Sequence, residues 1–206
     1  MTPDEFRDLI EHRTDQQMLD PCLLEDDAPY VFAPIPETWD SFRDALVDNL
    51  SVSRADIRIV GSGRFGFSLK PGYRLRTFRV ESDIDVVIVN PDLFDQLWIA
   101  LLGAAYPRPP IRERFAGWLA ERRNELYTGW LTPRDINLDI RILGERARPA
   151  LNFKTQWFNA IKLASRYPPR RHADITSRLY HSWQHAELYH LYSITKLRKS
   201  LAKERV

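Results

Sequence analysis

The 206-residue chain holds a single cysteine, Cys22. An internal disulfide framework is therefore excluded, and a reducing, cytoplasmic setting is expected. It has no long apolar run. The longest, Leu97 to Tyr106, falls well short of the roughly 20 residues that a helix needs to cross a bilayer, so no membrane role is expected. It also has little excess charge: the formal net charge is +2, too near balance to announce a nucleic-acid binder. No internal repeat or low-complexity segment is present. The N-terminus is acidic and polar, unlike the basic-then-apolar pattern of a signal peptide. Glycine is sparse too, with eight residues in all. Three of the eight gather at 61, 63 and 66. With 44% apolar and 28% charged residues, the composition is that of an ordinary globular protein with a substantial core.

That glycine cluster opens the stretch around which the chain is organised, Arg58 to Val89. A short apolar strand (Ile57, Ile59, Val60) runs into the turn Gly61-Ser62-Gly63, and a second strand begins with Asp83-Ile84-Asp85. Alternation along a strand puts Asp83 and Asp85 on one side and Ile84, Val86 and Ile88 on the other. Two neighbouring carboxylates repel each other, which predicts a cation between them. Hard divalent ions, which bridge carboxylates to phosphates, are the expected occupants.

Two familiar glycine motifs fit poorly. Gly61-x-Gly63-x-x-Gly66 matches a dinucleotide-binding fingerprint, but Pro71-Gly72 and the alternating Tyr73-Arg74-Leu75-Arg76 predict turn and strand where that motif needs a helix. A phosphate-binding P-loop is excluded because Phe67 stands where its lysine belongs.

Taken together, Gly61-Ser62, Gly66-Phe67-Ser68 and Ser82-Asp83-Ile84-Asp85 resemble the signature of the DNA polymerase β-like nucleotidyltransferases, and most of all small bacterial stand-alone members. The resemblance covers Arg58 to Leu143 and implies a third carboxylate on a neighbouring strand. The alternating run Asp135-Ile-Asn-Leu-Asp139-Ile-Arg-Ile-Leu143 is expected to be that strand, with Asp139 meeting Asp83 and Asp85 across the sheet. Residues Leu69 to Glu81 lengthen the spacing beyond that of the shortest members, so their substrate preference does not carry over.

The resemblance implies that Asp83, Asp85 and Asp139 hold two Mg2+ or Mn2+ ions and do the catalysis. It implies that Gly61, Ser62, Ser68 and the helical Lys162 bind a nucleoside triphosphate. The expected reaction transfers a nucleoside monophosphate to a hydroxyl acceptor with release of pyrophosphate. A protein or RNA acceptor is favoured, together with a partner encoded in the same operon, as in toxin–antitoxin pairs. The alternatives are a nucleotide second-messenger synthase of antiviral (phage) defence and a non-catalytic nucleotide- or partner-binding protein on the same fold.

The remaining segments predict an α+β architecture, a mixed β-sheet covered by helices. A core with N-terminal helices spans 1–150, and a C-terminal helical segment, 151–206, packs on it. Helices are expected over Pro3 to Leu19, from Thr38 to Leu50, Pro91 to Leu102 (with Trp98 inward), Ile111 to Leu126, Phe153 to Arg166 and Ile175 to Lys203, with a proline break at Tyr106 to Pro110. Arg74, Arg76 and Arg79 fit either an exposed hairpin edge or a phosphate contact. The helical spacing of His181 and His185, with His190 beyond, lacks the further ligands of a zinc site. Lys196, Arg198, Lys199, Lys203 and Arg205 fit a solvated helix end.

Overall fold

The computed structural model describes the chain apart from residues 80, 107–112, 169–173 and 204–206. The expected proline break after Tyr106, residues 169–172 of the later connection and Arg205 lie outside the described residues.

The protein is α+β. Its sheet has the order β1-β2-β4-β3, from β1 (Ile57–Val60), β2 (Ile84–Val89), β3 (Trp130–Leu131) and β4 (Ile175–Tyr180). β1 pairs antiparallel with β2, β2 parallel with β4, and β4 antiparallel with β3, so the sheet is mixed.

The helices follow local signals. Thr2 and Glu5 form a capping box ahead of α1 (Pro3–His12), which buries Phe6 and Ile10. The helix stops short of the expected Leu19. Arg13 is extended, and Thr14 and Gln17 exchange side-chain to backbone hydrogen bonds that start a new turn. α2 (Glu37–Leu50) buries Trp39, Phe42, Leu46 and Leu50 at helical spacing. Asn90 caps α4 (Pro91–Ala105), which buries Leu93, Phe94, Leu97 and Leu101. Trp98, expected inside, is 46% exposed. α5 (Glu113–Tyr127), α6 (Ile140–Leu143), α7 (Arg148–Ala164) and α8 (Trp183–Lys203) complete the set, with the one-turn α3 (Ser62–Phe65) following β1.

Three expectations are corrected. The run Asp135 to Leu143 is not a strand: it is a 3-10 turn (Pro133–Asp135), an extended link and the short helix α6. The helix expected from Ile175 begins only at Trp183, because 175–180 form β4. The C-terminal segment, expected to add only helices and their connection, thus also supplies an interior strand. Residues 73–76 form no hairpin. Phe67 and Thr77 make one isolated bridge, and Arg74 and Leu75 take positive φ values of 50° and 54°. Leu75 is buried there among Phe6, Phe65 and Phe67, which offsets the strain of that backbone.

The two sheet faces pack differently. Ile57, Ile59, Ile84, Val86, Ile88 and Leu179 join the main core with residues of α2, α4 and α7. Within it Trp157 is 1% exposed, and its indole N–H donates to Ser177 Oγ at 2.8 Å. Val60, Val87, Val89 and Tyr180 pack on the opposite side against Leu23 and Ala186, brought by the π-helical turn Asp20–Leu24 and by α8. Arg198 of α8 is part of this framework and no mere solvated end: it pairs with Asp15 and donates to the carbonyls of Ile10 and Arg13.

Candidate functional site

Because β1 runs against β2, and β4 runs with β2, the end of β1 and the starts of β2 and β4 meet at one edge of the sheet. A cavity of about 740 Å³ opens there, lined in part by Gly61, Ser62, Ser68, Asp83, Asp85 and Thr176. That size lies within the range of small-molecule sites.

Gly61 caps α3 with φ 62° and ψ −137°, a conformation nearly restricted to glycine. A Cβ there would sit 3.4 Å from Asp85 Oδ2, so the turn and the carboxylate abut. Behind the turn, Arg64 is pinned. Its guanidinium donates to the Pro21 carbonyl at 2.5 Å, to Glu25 at 2.9 Å and to Asp27 at 2.6 Å. That lock fixes α3 against the 20–27 segment and holds Ser62 at the cavity wall.

Asp85, the second residue of β2, accepts a hydrogen bond from Thr176 Oγ1 on Oδ1 at 2.5 Å. Asp83 lies in the link just before β2, and among the described residues no hydrogen bond or ion pair engages it. Ser68 accepts from the Lys70 N–H at 3.2 Å. These five expected site residues, Gly61, Ser62, Ser68, Asp83 and Asp85, share the cavity.

Two do not join them. Asp139 is the N-cap of α6: its side chain accepts from the Arg141 N–H at 2.9 Å and pairs with the Arg141 guanidinium at 2.8 Å. Those Arg141 hydrogen bonds hold its carboxyl below the usual range. It does not line the cavity, and the strand beside β2 is β4, which presents Thr176 where a carboxylate was expected. Lys162 is exposed on α7, and its neighbours Phe158 and Ile161 line the cavity instead. The lysines in the wall are Lys70 and Lys196.

Other groups in the wall escaped the sequence. Arg134, Asp135, Arg178 and His190 line the cavity with Thr176. Burial, reinforced by the Arg178 charge, lowers the His190 pKa to about 4, and its Nε2 is buried without a hydrogen-bond partner among the described residues. Burial disfavours the Arg178 charge, but Tyr189, Tyr180 and Asp85 more than offset it, and its pKa is raised. Burial likewise raises the Tyr180 hydroxyl, which lies beside Arg178 in a geometry short of a hydrogen bond. A signal for β4 was present: Ile175-Thr-Ser-Arg-Leu-Tyr180 alternates, with Thr176, Arg178 and Tyr180 on one face.

The donor set suits one divalent ion and not two. Asp83 and Asp85 offer oxygen ligands of the kind Mg2+ shares with substrate phosphates. Among the described residues no group of three His, Cys, Asp or Glu side chains is placed to hold a metal. His181 faces Asp95 at 3.6 Å, while His185 Nδ1 contacts Ser182 Oγ at 2.7 Å.

No family model matches the chain, and comparison with curated proteins and with solved structures gives no significant match. No described helix is long and apolar enough to cross a membrane.

Proposed function

We propose that the cavity binds a nucleoside triphosphate with one divalent cation and transfers the nucleoside monophosphate to a hydroxyl acceptor, releasing pyrophosphate. The observation that carries this reading is the abutment of the Gly61–Ser62 turn on Asp85 within one cavity of nucleotide size. Asp83 and Asp85 hold the cation. Gly61 lets the backbone pass close to a phosphate, and the Ser62 hydroxyl donates to it. Lys70, Arg134 and Lys196 bring positive charge to the cavity lining, which favours a polyanionic ligand. A bound Mg2+ or Mn2+ would neutralise phosphate charge and make the α-phosphorus open to attack. Asp139 has no part in this scheme. The favoured acceptor is a cytoplasmic protein or RNA, including a partner encoded in the same operon; a second nucleotide as acceptor would make the product a signalling molecule.

A second reading, a nucleotide-binding protein without turnover, is favoured by one observation: Thr176 faces Asp85 where a two-ion site needs a carboxylate. Incubation with each nucleoside triphosphate, Mg2+ and protein or RNA acceptors, followed by mass spectrometry, separates the two. Transfer gives an acceptor heavier by one nucleoside monophosphate, and the double variant Asp83→Asn, Asp85→Asn abolishes it without altering thermal unfolding. Bound nucleotide with no adduct on any acceptor supports the second reading.

A further inference from the structure

The arginines drawn into this protein are nearly all neutralised. Arg43 pairs with Asp40 and Asp26, Arg58 with Asp26, Arg64 with Glu25 and Asp27, and Arg122 with Glu121 and Asp135 as well as Glu125. Such pairing is expected, because burying a charge without a counter-charge is expensive. Arg178 is the exception. It is partly buried in the cavity wall, and among the described residues no carboxylate comes within ion-pair distance of it. Asp85 is near enough to favour its charge and no nearer.

Its position is nonetheless fixed. The guanidinium lies 4.9 Å from the Tyr189 ring centroid and 5.5 Å from that of Trp130, two rings that themselves meet edge-to-face at 5.4 Å, so both make cation–π contact from one side and leave the other free. In the β2–β4 register Thr176 stands opposite Asp85 and Arg178 opposite Val87. Alternation then places Asp85, Thr176 and Arg178 on the same face. Beside Arg178, His190 Nε2 and the Tyr180 hydroxyl are buried without a hydrogen-bond partner among the described residues. Unsatisfied polar groups gathered round a cation without a counter-charge make a site suited to an anionic ligand.

We propose that Arg178 is a phosphate-binding residue, gripping the ligand's phosphates from the strand beside the Asp83–Asp85 carboxylates and supplying there the positive charge that a second metal ion would otherwise bring. A guanidinium backed by two aromatic rings suits this task. Its planar fork binds two phosphate oxygens at once and keeps its charge at any physiological pH. The inference deepens the reading under Proposed function, from which it takes the identity of the ligand.

Calorimetric titration with tripolyphosphate, the part common to all nucleoside triphosphates, tests it. Wild type binds in EDTA and more tightly in Mg2+. Arg178→Gln weakens binding in EDTA by roughly tenfold or more, whereas Asp85→Asn keeps that binding and loses the gain from Mg2+. Equal affinity of Arg178→Gln and wild type in EDTA overturns the proposal, as does a wild type that binds nothing in EDTA. Phenylglyoxal modification of the wild-type protein gives a check that needs no variant to fold. Tripolyphosphate should slow modification of Arg178 several-fold and leave the exposed Arg141 unchanged; equal rates at Arg178 with and without the ligand overturn the proposal. If Arg178 behaves as expected but Mg2+ brings no gain and Asp85→Asn has no effect, the phosphate contact stands and the metal-dependent transfer reading fails.

Discussion

Thr176 and Asp85 face each other across the parallel β2–β4 pair, and the threonine hydroxyl donates to Asp85 Oδ1 at 2.5 Å. This bond ties down one carboxylate oxygen. The other, Oδ2, is left beside Gly61, on the side where a cation would be shared with a phosphate. Replacing Thr176 by valine keeps the shape and deletes the donor. Partners that orient a ligating carboxylate typically contribute about 10–100-fold to metal affinity. Mn2+ binding followed by electron paramagnetic resonance should therefore weaken about tenfold in Thr176→Val, with a stability loss of about 1 kcal/mol from the lost hydrogen bond. Unchanged Mn2+ binding would remove Asp85 from the metal site.

Gly61 and Gly72 separate backbone strain from crowding at the site. Both have positive φ, 62° and 80°, but only at Gly61 would a Cβ meet a neighbour within 4 Å, Asp85 Oδ2. Alanine at either position should lower the unfolding free energy in urea by about 1–3 kcal/mol. Only Gly61→Ala should also weaken binding of a nucleoside triphosphate with Mg2+. Equal binding by both variants would show that the turn does not approach the ligand.

The pH dependence of stability should contain two opposed contributions. His190, lowered from 6.5 to about 4 chiefly by burial, leaves the unfolded chain holding more protons between those values, so stability rises with pH there. Glu125, raised from 4.5 to about 7 chiefly by burial, leaves the folded chain holding more, so stability falls as pH goes from about 4.5 to about 7. In the wild type the two oppose each other. Glu125→Gln should expose the rise, and His190→Phe the fall, in urea unfolding measured from pH 4 to pH 8. Matching curves for the two variants would refute both assignments.

Cys22 is 3% exposed beneath α3, and burial pushes its thiol up to about 12. A thiolate-selective reagent should label it at the rate of global unfolding and no faster. Fast labelling of the native protein would mean that the 20–24 turn opens on its own.

The Gly61-Ser62 turn and the Asp83–Asp85 strand start were legible because each sits on a short apolar run with one dominant period. Asp139 was misplaced because Ile136, Leu138, Ile140 and Ile142 imitate strand alternation. Ile136 and Leu138 are indeed buried, but Ile140 and Ile142 are 39% and 66% exposed. The pattern breaks at Asp139 itself, whose side chain takes the backbone N–H of Arg141 and starts a helical turn. β4 was hidden for a different reason. Its six residues run almost directly into a long helical pattern, and its partner, Ile84, lies 91 positions before Ile175. A parallel pairing over that distance leaves no local trace, so Thr176 and Arg178 came to the site unannounced. The lone exposed Trp98 shows the limit of helical spacing, which marks a face without fixing how far the core extends around it.

The central claim, that this cavity transfers nucleoside monophosphates, is tested most directly with triphosphates labelled at either the α- or the γ-phosphate, supplied with Mg2+ and cell-derived protein and RNA acceptors. Pyrophosphate is the leaving group, so the account predicts that α-label reaches the acceptor, that γ-label never does, and that Asp85→Asn stops the transfer while leaving the fold intact. Tight binding of the labelled nucleotide by wild type, with no α-label on any protein, RNA or nucleotide, would contradict it.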